Sequence, residues 1–139
     1  MRSIGRQGIT PQQLTYYRDE WKMSPAILSN GLLFLTGMTG TQRDGAVATD
    51  AEEQIRDAFA KVHDVLTEAG LAPDDIVEMT SYHVGISDHL EVFRRIRAEQ
   101  LAEPYPAWTA TEVSGFITPK VIVELRVVAD ASSMVPPET

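Results

Sequence analysis

The spacing of apolar positions changes along the chain, and each change predicts an element. Between Ala26 and Gly37, AILSNGLLFLTG gives two apolar runs joined at Ser29-Asn30-Gly31. Asn-Gly accepts the positive φ angles of a type I′ turn, so this segment predicts a β-hairpin. Its second strand, Leu32 to Thr36, is apolar at nearly every position and is expected to be buried on both faces. From Asp50 the period becomes 3.6. Ala51, Ile55, Ala58, Phe59, Val62, Val65, Leu66 and Ala69 fall on one stripe, which predicts an amphipathic helix. Asp50 with Glu53 forms its capping box, and Gly70 stops it. A strand follows over Ile76 to Val84. A second helix is expected from Asp88, with Glu91 as its cap partner and Leu90, Phe93, Ile96 and Leu101 on one side, ended by Pro104 and Pro106. Ala107 to Val113 and Val121 to Ala129 read as two further strands.

The order is ββαβαββ. It predicts an α+β fold, a mixed sheet with both helices on one face, in one domain over residues 1–139. Residues 1–20, punctuated by Gly5, Gly8 and Pro11, read as an irregular surface segment, and 131–139 as a flexible tail. The other face of the sheet stays apolar and uncovered, and self-association would cover it most simply.

Charge narrows the partners. Twelve basic against twenty acidic residues give a formal charge of −8, the wrong sign for a nucleic-acid binder. The one dense basic stretch, Arg94-Arg95-Ile96-Arg97, is flanked by Glu91 and Glu99 and reads as a solvated helix face. No apolar run approaches the roughly 20 residues of a membrane span or has signal-peptide length, so a cytoplasmic protein is expected. There is no cysteine, which removes disulfides and thiol chemistry.

His63, His83 and His89 share no metal-ligand spacing and read as surface or hydrogen-bonded core residues; no metal or cofactor is expected. Gly-rich phosphate loops and nucleophile elbows are also absent. In VIVELRVVA, alternation puts Val121, Val123, Leu125 and Val127 on one face and Ile122, Glu124, Arg126 and Val128 on the other. Glu124 and Arg126 could form an ion pair at an edge or subunit seam. Alternatively, Glu124 is a desolvated carboxylate with a raised pKa, suited to general acid-base work near neutral pH. Trp108, in YPAWTATEV, could pack in the core or line a site.

Several motifs occur together in order: Leu35-Thr36-Gly37, Ala69-Gly70, Asp75-Ile76-Val77, Tyr105-Pro106-Ala107, Glu112-Val113, Thr118-Pro119-Lys120 and Val123-Glu124-Leu125. Over residues 24–130 this set resembles the Rid/YjgF family, the reactive-intermediate deaminases once labelled L-PSP endoribonucleases or translation inhibitors. The resemblance implies a chorismate-mutase-like homotrimer with clefts between subunits, where an enamine or imine is hydrolysed.

Carried over from the family, the water-positioning glutamate falls on Glu124 and the Ser-Gly pair on Thr36-Gly37. The carboxylate-binding arginine position holds Trp108, the tyrosine position Met23, and the asparagine falls near Phe93. Backbone amides of Gly37 and Ala110 are the implied oxyanion or carboxylate donors. Replacing the arginine removes a bidentate clamp, which points to a substrate other than the usual 2-imino acids. The expectation is a hydrolase or deaminase acting on a small-molecule ligand, with a non-catalytic ligand-binding trimer as the alternative. An endoribonuclease is a remote third.

Overall fold

A computed structural model describes residues 5–134. Its sheet is built from β1 (Arg6–Ile9), β2 (Ala26–Ser29), β3 (Leu32–Leu35), β4 (Ile76–His83), β5 (Ala107–Glu112) and β6 (Val123–Asp130), in the order β1-β2-β3-β6-β4-β5. All neighbours run antiparallel except β4 and β5, which α3 (Ile86–Gln100) connects as a parallel pair. With α2 (Ala51–Glu68) and the short α1 (Thr15–Asp19), this is the expected α+β mixed sheet, extended by elements at the N-terminal end.

The hairpin turns where Asn-Gly stands, with φ of 54° at Asn30 and 80° at Gly31. In α2, Ile55, Ala58, Val62, Val65 and Leu66 are fully buried against the sheet. Asp50 caps it by accepting from the Glu53 amide at 3.0 Å, and Gly70 closes it with φ 76°. On the sheet's helix side lie Leu33, Leu35, Val123, Leu125, Val127 and Ala129, all buried.

Four expectations need correction. Residues 6–19 are not an irregular surface segment. β1 pairs with β2, and Leu14, Tyr16 and Tyr17 are buried. Backbone pairing at a sheet edge leaves no side-chain pattern, and α1 is too short to display a 3.6 period. β3 is not buried on both faces of the chain, since Leu32 and Phe34 are 37% and 38% exposed. They continue across Val128 as the apolar part of the uncovered face. The helix expected from Asp88 begins at Ile86, after Gly85 in the left-handed region (φ 66°). Its first amide is satisfied by Glu112 of β5, at 2.9 Å, rather than from within the helix. The tail, finally, is ordered through its first residues: Ala131 is buried, and its amide donates to the Gly31 carbonyl at 2.9 Å. Residues 1–4 and 135–139 lie outside the described chain.

One buried side chain fixes the approach to β6. Gln54 of α2, 1% exposed, donates to the carbonyls of Ala48 (3.0 Å) and Lys120 (3.1 Å) and accepts from the Ile122 amide (2.6 Å). The loop before β6 is therefore tied to the helix layer through one amide group.

Candidate functional site

A cleft of about 160 Å³ opens where α1, the loop after β3, the loop before β6 and β6 itself converge. α1 supplies Tyr16 and Tyr17, whose rings meet edge to face at 5.0 Å. Lys22 then reverses the chain with φ 56°, and the Trp21 and Met23 amides bond back to the Tyr16 and Tyr17 carbonyls. That reversal delivers the Trp21 and Met23 side chains to the cleft. Phe116, Ile117 and Val121 form the opposite wall.

Glu124 is the one carboxylate among the described lining residues, and Arg43 the one cation. β3 ends at Leu35, but its line continues as a single bridge, Met38 exchanging both backbone hydrogen bonds with Leu125 at 2.8 Å. Gly37 thereby lies under Glu124, and a β-carbon there would stand 2.7 Å from the Glu124 carboxyl carbon. Glycine is what admits the carboxylate. Burial raises the Glu124 pKa above the ordinary carboxylate value. Among the described residues it has neither an ion-pair nor a hydrogen-bond partner. Arg126, on the same face, lies exposed beside Thr80. The ion pair open to the sequence is thus not formed within the described chain.

The residues expected in one site fall into two groups. Glu124, Gly37 and Met23 line the cleft. Thr36 stands beside it, its hydroxyl donating to the Ser24 carbonyl at 2.7 Å and its amide to Pro25. Trp108, Phe93 and Ala110 lie elsewhere. Trp108 pairs in register with Met79, and Ala110 with Ser81, on the helix-covered side; Glu124 pairs with Tyr82 and points to the other side. Phe93 is fully buried, 5.9 Å from the Phe59 ring centre and 6.0 Å from that of Trp108. Ala110 is exposed on the edge strand. The tryptophan that lines the cleft is Trp21.

Trp108 belongs instead to a buried polar chain. Its indole donates to Ser81 Oγ at 2.9 Å, Ser81 Oγ meets His83 Nε2 at 2.8 Å, and His83 Nδ1 meets His89 Nε2 at 3.0 Å. An indole can only donate, so Ser81 Oγ accepts from Trp108 and its own proton is available to His83 Nε2; in that tautomer His83 Nδ1–H donates to His89 Nε2. The Arg97 guanidinium covers the outer indole face, 4.3 Å from its centre. Desolvation and His89 push the His83 pKa down to about 4. Among the described residues no group of three His, Asp or Glu side chains is disposed to hold a metal ion, and no helix is long and apolar enough to cross a membrane.

Comparison with known proteins places this geometry in a family. The model of the endoribonuclease L-PSP family matches residues 19–131. The chain is a Rid/YjgF-family protein. It is 38% identical over 96 residues to the RutC-family protein YjgH of Escherichia coli, spanning 68% of this chain and 73% of that one. A solved structure of a YjgH protein superposes with a TM-score of 0.84 at 32% identity, covering 97% of this chain and 100% of the other. Rv2704 of Mycobacterium tuberculosis, from the YjgF/YER057c/UK114 family, shares the fold at a TM-score of 0.76 and 23% identity, over 90% of this chain and 98% of that one. Both superpositions fit the six-stranded sheet described above for this Rid/YjgF protein.

The sequence reading missed Tyr16, Tyr17, Trp21 and Arg43. The signal available was an aromatic cluster, Tyr16-Tyr17 followed by Trp21, in a segment otherwise polar.

Proposed function

We propose that this Rid/YjgF protein hydrolyses a C=N bond or enamine in a small, largely apolar molecule, releasing ammonia or an amine. The observation that carries this reading is Glu124: a desolvated carboxylate without a partner in the described chain, seated over Gly37 and facing an aromatic cleft. An unpaired carboxylate with a raised pKa can hold a water and take its proton as the water adds to an electrophilic carbon. Within the chain, Trp21, Met23, Phe116 and Ile117 supply contact area for the substrate. Trp108 at the position of the family's carboxylate clamp disfavours the usual 2-imino acids as substrates. In keeping with the family resemblance, the working form is a cytoplasmic homotrimer in which the uncovered face bearing Leu32, Phe34 and Val128 packs between subunits. Thr36, Gly37 and, across a subunit edge, Ala110 of β5 would complete the clefts.

The test is hydrolysis of imines generated in situ, some bearing a carboxylate and some not, with semicarbazide trapping what remains. Glu124→Gln is expected to lower turnover by about 10²-fold at unchanged fold. Unchanged turnover would remove the carboxylate from the chemistry.

A second reading, a non-catalytic ligand-binding trimer, is favoured by the absence of any described hydrogen bond orienting Glu124. It predicts ligand affinity that survives Glu124→Gln and no turnover in the parent protein. Ribonuclease activity is disfavoured by the net charge of −8 and by a cleft with a single described cation.

A further inference from the structure

Lys61 is a buried cation that the reading above leaves unused. It lies on α2, 9% exposed, and no carboxylate among the described residues comes within ion-pair distance. Its ammonium donates to the Thr41 carbonyl at 2.8 Å, to the Tyr17 phenolic oxygen at 3.3 Å and to Thr41 Oγ1 at 3.5 Å. All three of its protons are thus directed at neutral oxygens. A tie between α2 and the loop at Thr41 alone could be made by an uncharged side chain without burying a charge. What the amine adds is a proton that can move.

Tyr17 connects that proton to the cleft. Its ring lines the same cleft as Glu124, its oxygen accepts from Lys61, and its own hydroxyl proton faces Met38 Sδ, at 3.8 Å, and the Tyr16 phenolic oxygen. Thioether sulfur and a neutral phenol oxygen are weaker acceptors than a basic imine nitrogen, so a ligand nitrogen in the cleft would compete for this proton. The groups around the amine are Asp57 and Asp64 on its own helix, Tyr16 and Tyr17 on α1, and Arg43 on the loop beyond Thr41. Desolvation, opposed by Asp57, brings the Lys61 pKa down to about 8, within reach of a neutral-pH reaction.

We propose that Lys61 is the acid of this site, delivering its proton to the substrate nitrogen through Tyr17 while Glu124 serves as base on the opposite side. The inference rests on the hydrolytic reading of the cleft. Water adds to the C=N carbon and Glu124 takes one of its protons. The π pair moves to nitrogen, which takes the Tyr17 proton, and Lys61 restores that proton to Tyr17. In the collapse, protonated Glu124 gives its proton to the departing nitrogen, the C–N bond breaks and the C=O bond forms. The hydroxyl proton released at that point returns through Tyr17 to Lys61. One water is consumed, ammonia or an amine leaves, and both side chains regain their starting states.

The experiment is the pH dependence of imine hydrolysis for the parent protein, Lys61→Met, Lys61→Arg and Tyr17→Phe, with thermal unfolding recorded for each. The parent rate is expected to fall as pH rises through about 8. Lys61→Arg should keep measurable turnover and move that upper limb up by more than about one pH unit, because a guanidinium stays protonated. Lys61→Met and Tyr17→Phe should lose about 10²-fold in kcat with KM nearly unchanged. If Lys61→Met and Lys61→Arg lower the rate equally at every pH and leave the limb in place, Lys61 is a strut and the relay is wrong, while the hydrolytic reading stands. Should Lys61→Met fail to fold, the Lys61→Arg limb alone decides. If the parent protein hydrolyses none of the imines, the hydrolytic reading fails and the relay fails with it.

Discussion

Gly37 and Glu124 are in contact so close that position 37 has no room for a side chain: a β-carbon there would lie 3.0 Å from Glu124 Cγ and 2.7 Å from its carboxyl carbon. The obstruction is the far end of a flexible side chain, which can swing aside. Gly37→Ala should therefore cost less than about 1 kcal/mol of stability while displacing the carboxylate, with turnover down about tenfold or more. Parallel thermal melts and imine-hydrolysis rates check the separation. A large loss of stability would show that the backbone, not the side chain, gives way.

The raised pKa of Glu124 fixes the sign of its effect on stability. Its folded-state pKa lies above the unfolded value, so between the two the folded chain binds more protons and stability declines as pH rises. At neutral pH the ionised, desolvated carboxylate is a cost. Glu124→Gln is expected to raise Tm by about 2–4 °C at pH about 7, with the advantage vanishing below the ordinary carboxylate range. Calorimetry across pH would show whether the two curves converge in acid.

The Ser81–His83–His89 chain works in the opposite sense. His83 is held neutral, with a pKa near 4 in the fold against 6.5 when exposed. Its contribution is complete above the unfolded value and is lost as pH falls from there toward about 4, amounting to roughly 2–3 kcal/mol. Acid unfolding followed by tryptophan fluorescence should show this loss, and His83→Gln should flatten it. Equal acid sensitivity in the two proteins would mean that carboxylates elsewhere dominate.

The two tryptophans are expected to behave differently. Trp21, 56% exposed in the cleft wall, can be replaced by alanine with little change in Tm but about tenfold weaker ligand binding. Trp108→Arg breaks the bond to Ser81 and sets a second guanidinium beside Arg97, costing about 2–3 kcal/mol, and within the chain that guanidinium lies on the other side of the sheet from Glu124. A gain in 2-imino acid turnover on Trp108→Arg would show instead that position 108 reaches a cleft in the assembled protein.

How far the sequence could be read depended on the length of each periodic stretch. α2 shows five turns of apolar spacing, and the Asn30-Gly31 turn carries its own chemical signature; both are legible without coordinates. Glu124 is legible because it interrupts an apolar strand. α1 is not: Tyr16 and Tyr17 are adjacent, Trp21 and Met23 arrive only through the reversal at Lys22, and no period links them. That Trp108 and Phe93 do not meet Glu124 within one chain has a different reason. Similarity of motifs assigns positions along a chain, whereas the face a strand residue occupies follows from its pairing. Trp108 opposes Met79 and Glu124 opposes Tyr82, three residues apart on β4 and so an odd number of steps in a period of two, which points them to opposite sides of the sheet.

Gln54 has a practical corollary for finding the ligand. Because its amide group hangs the loop before β6 from the interior of α2, the cleft's outer wall exists only when helix and sheet have docked. A chain with α2 detached offers no competing site. A molecule that fills the cleft therefore binds the native state alone and stabilises it by mass action, by about 2.7 kcal/mol at one hundred times its Kd, which raises the melting temperature. Thermal shift across a library of small apolar carbonyl and imine-like compounds can thus identify what this cleft selects before any turnover is assayed.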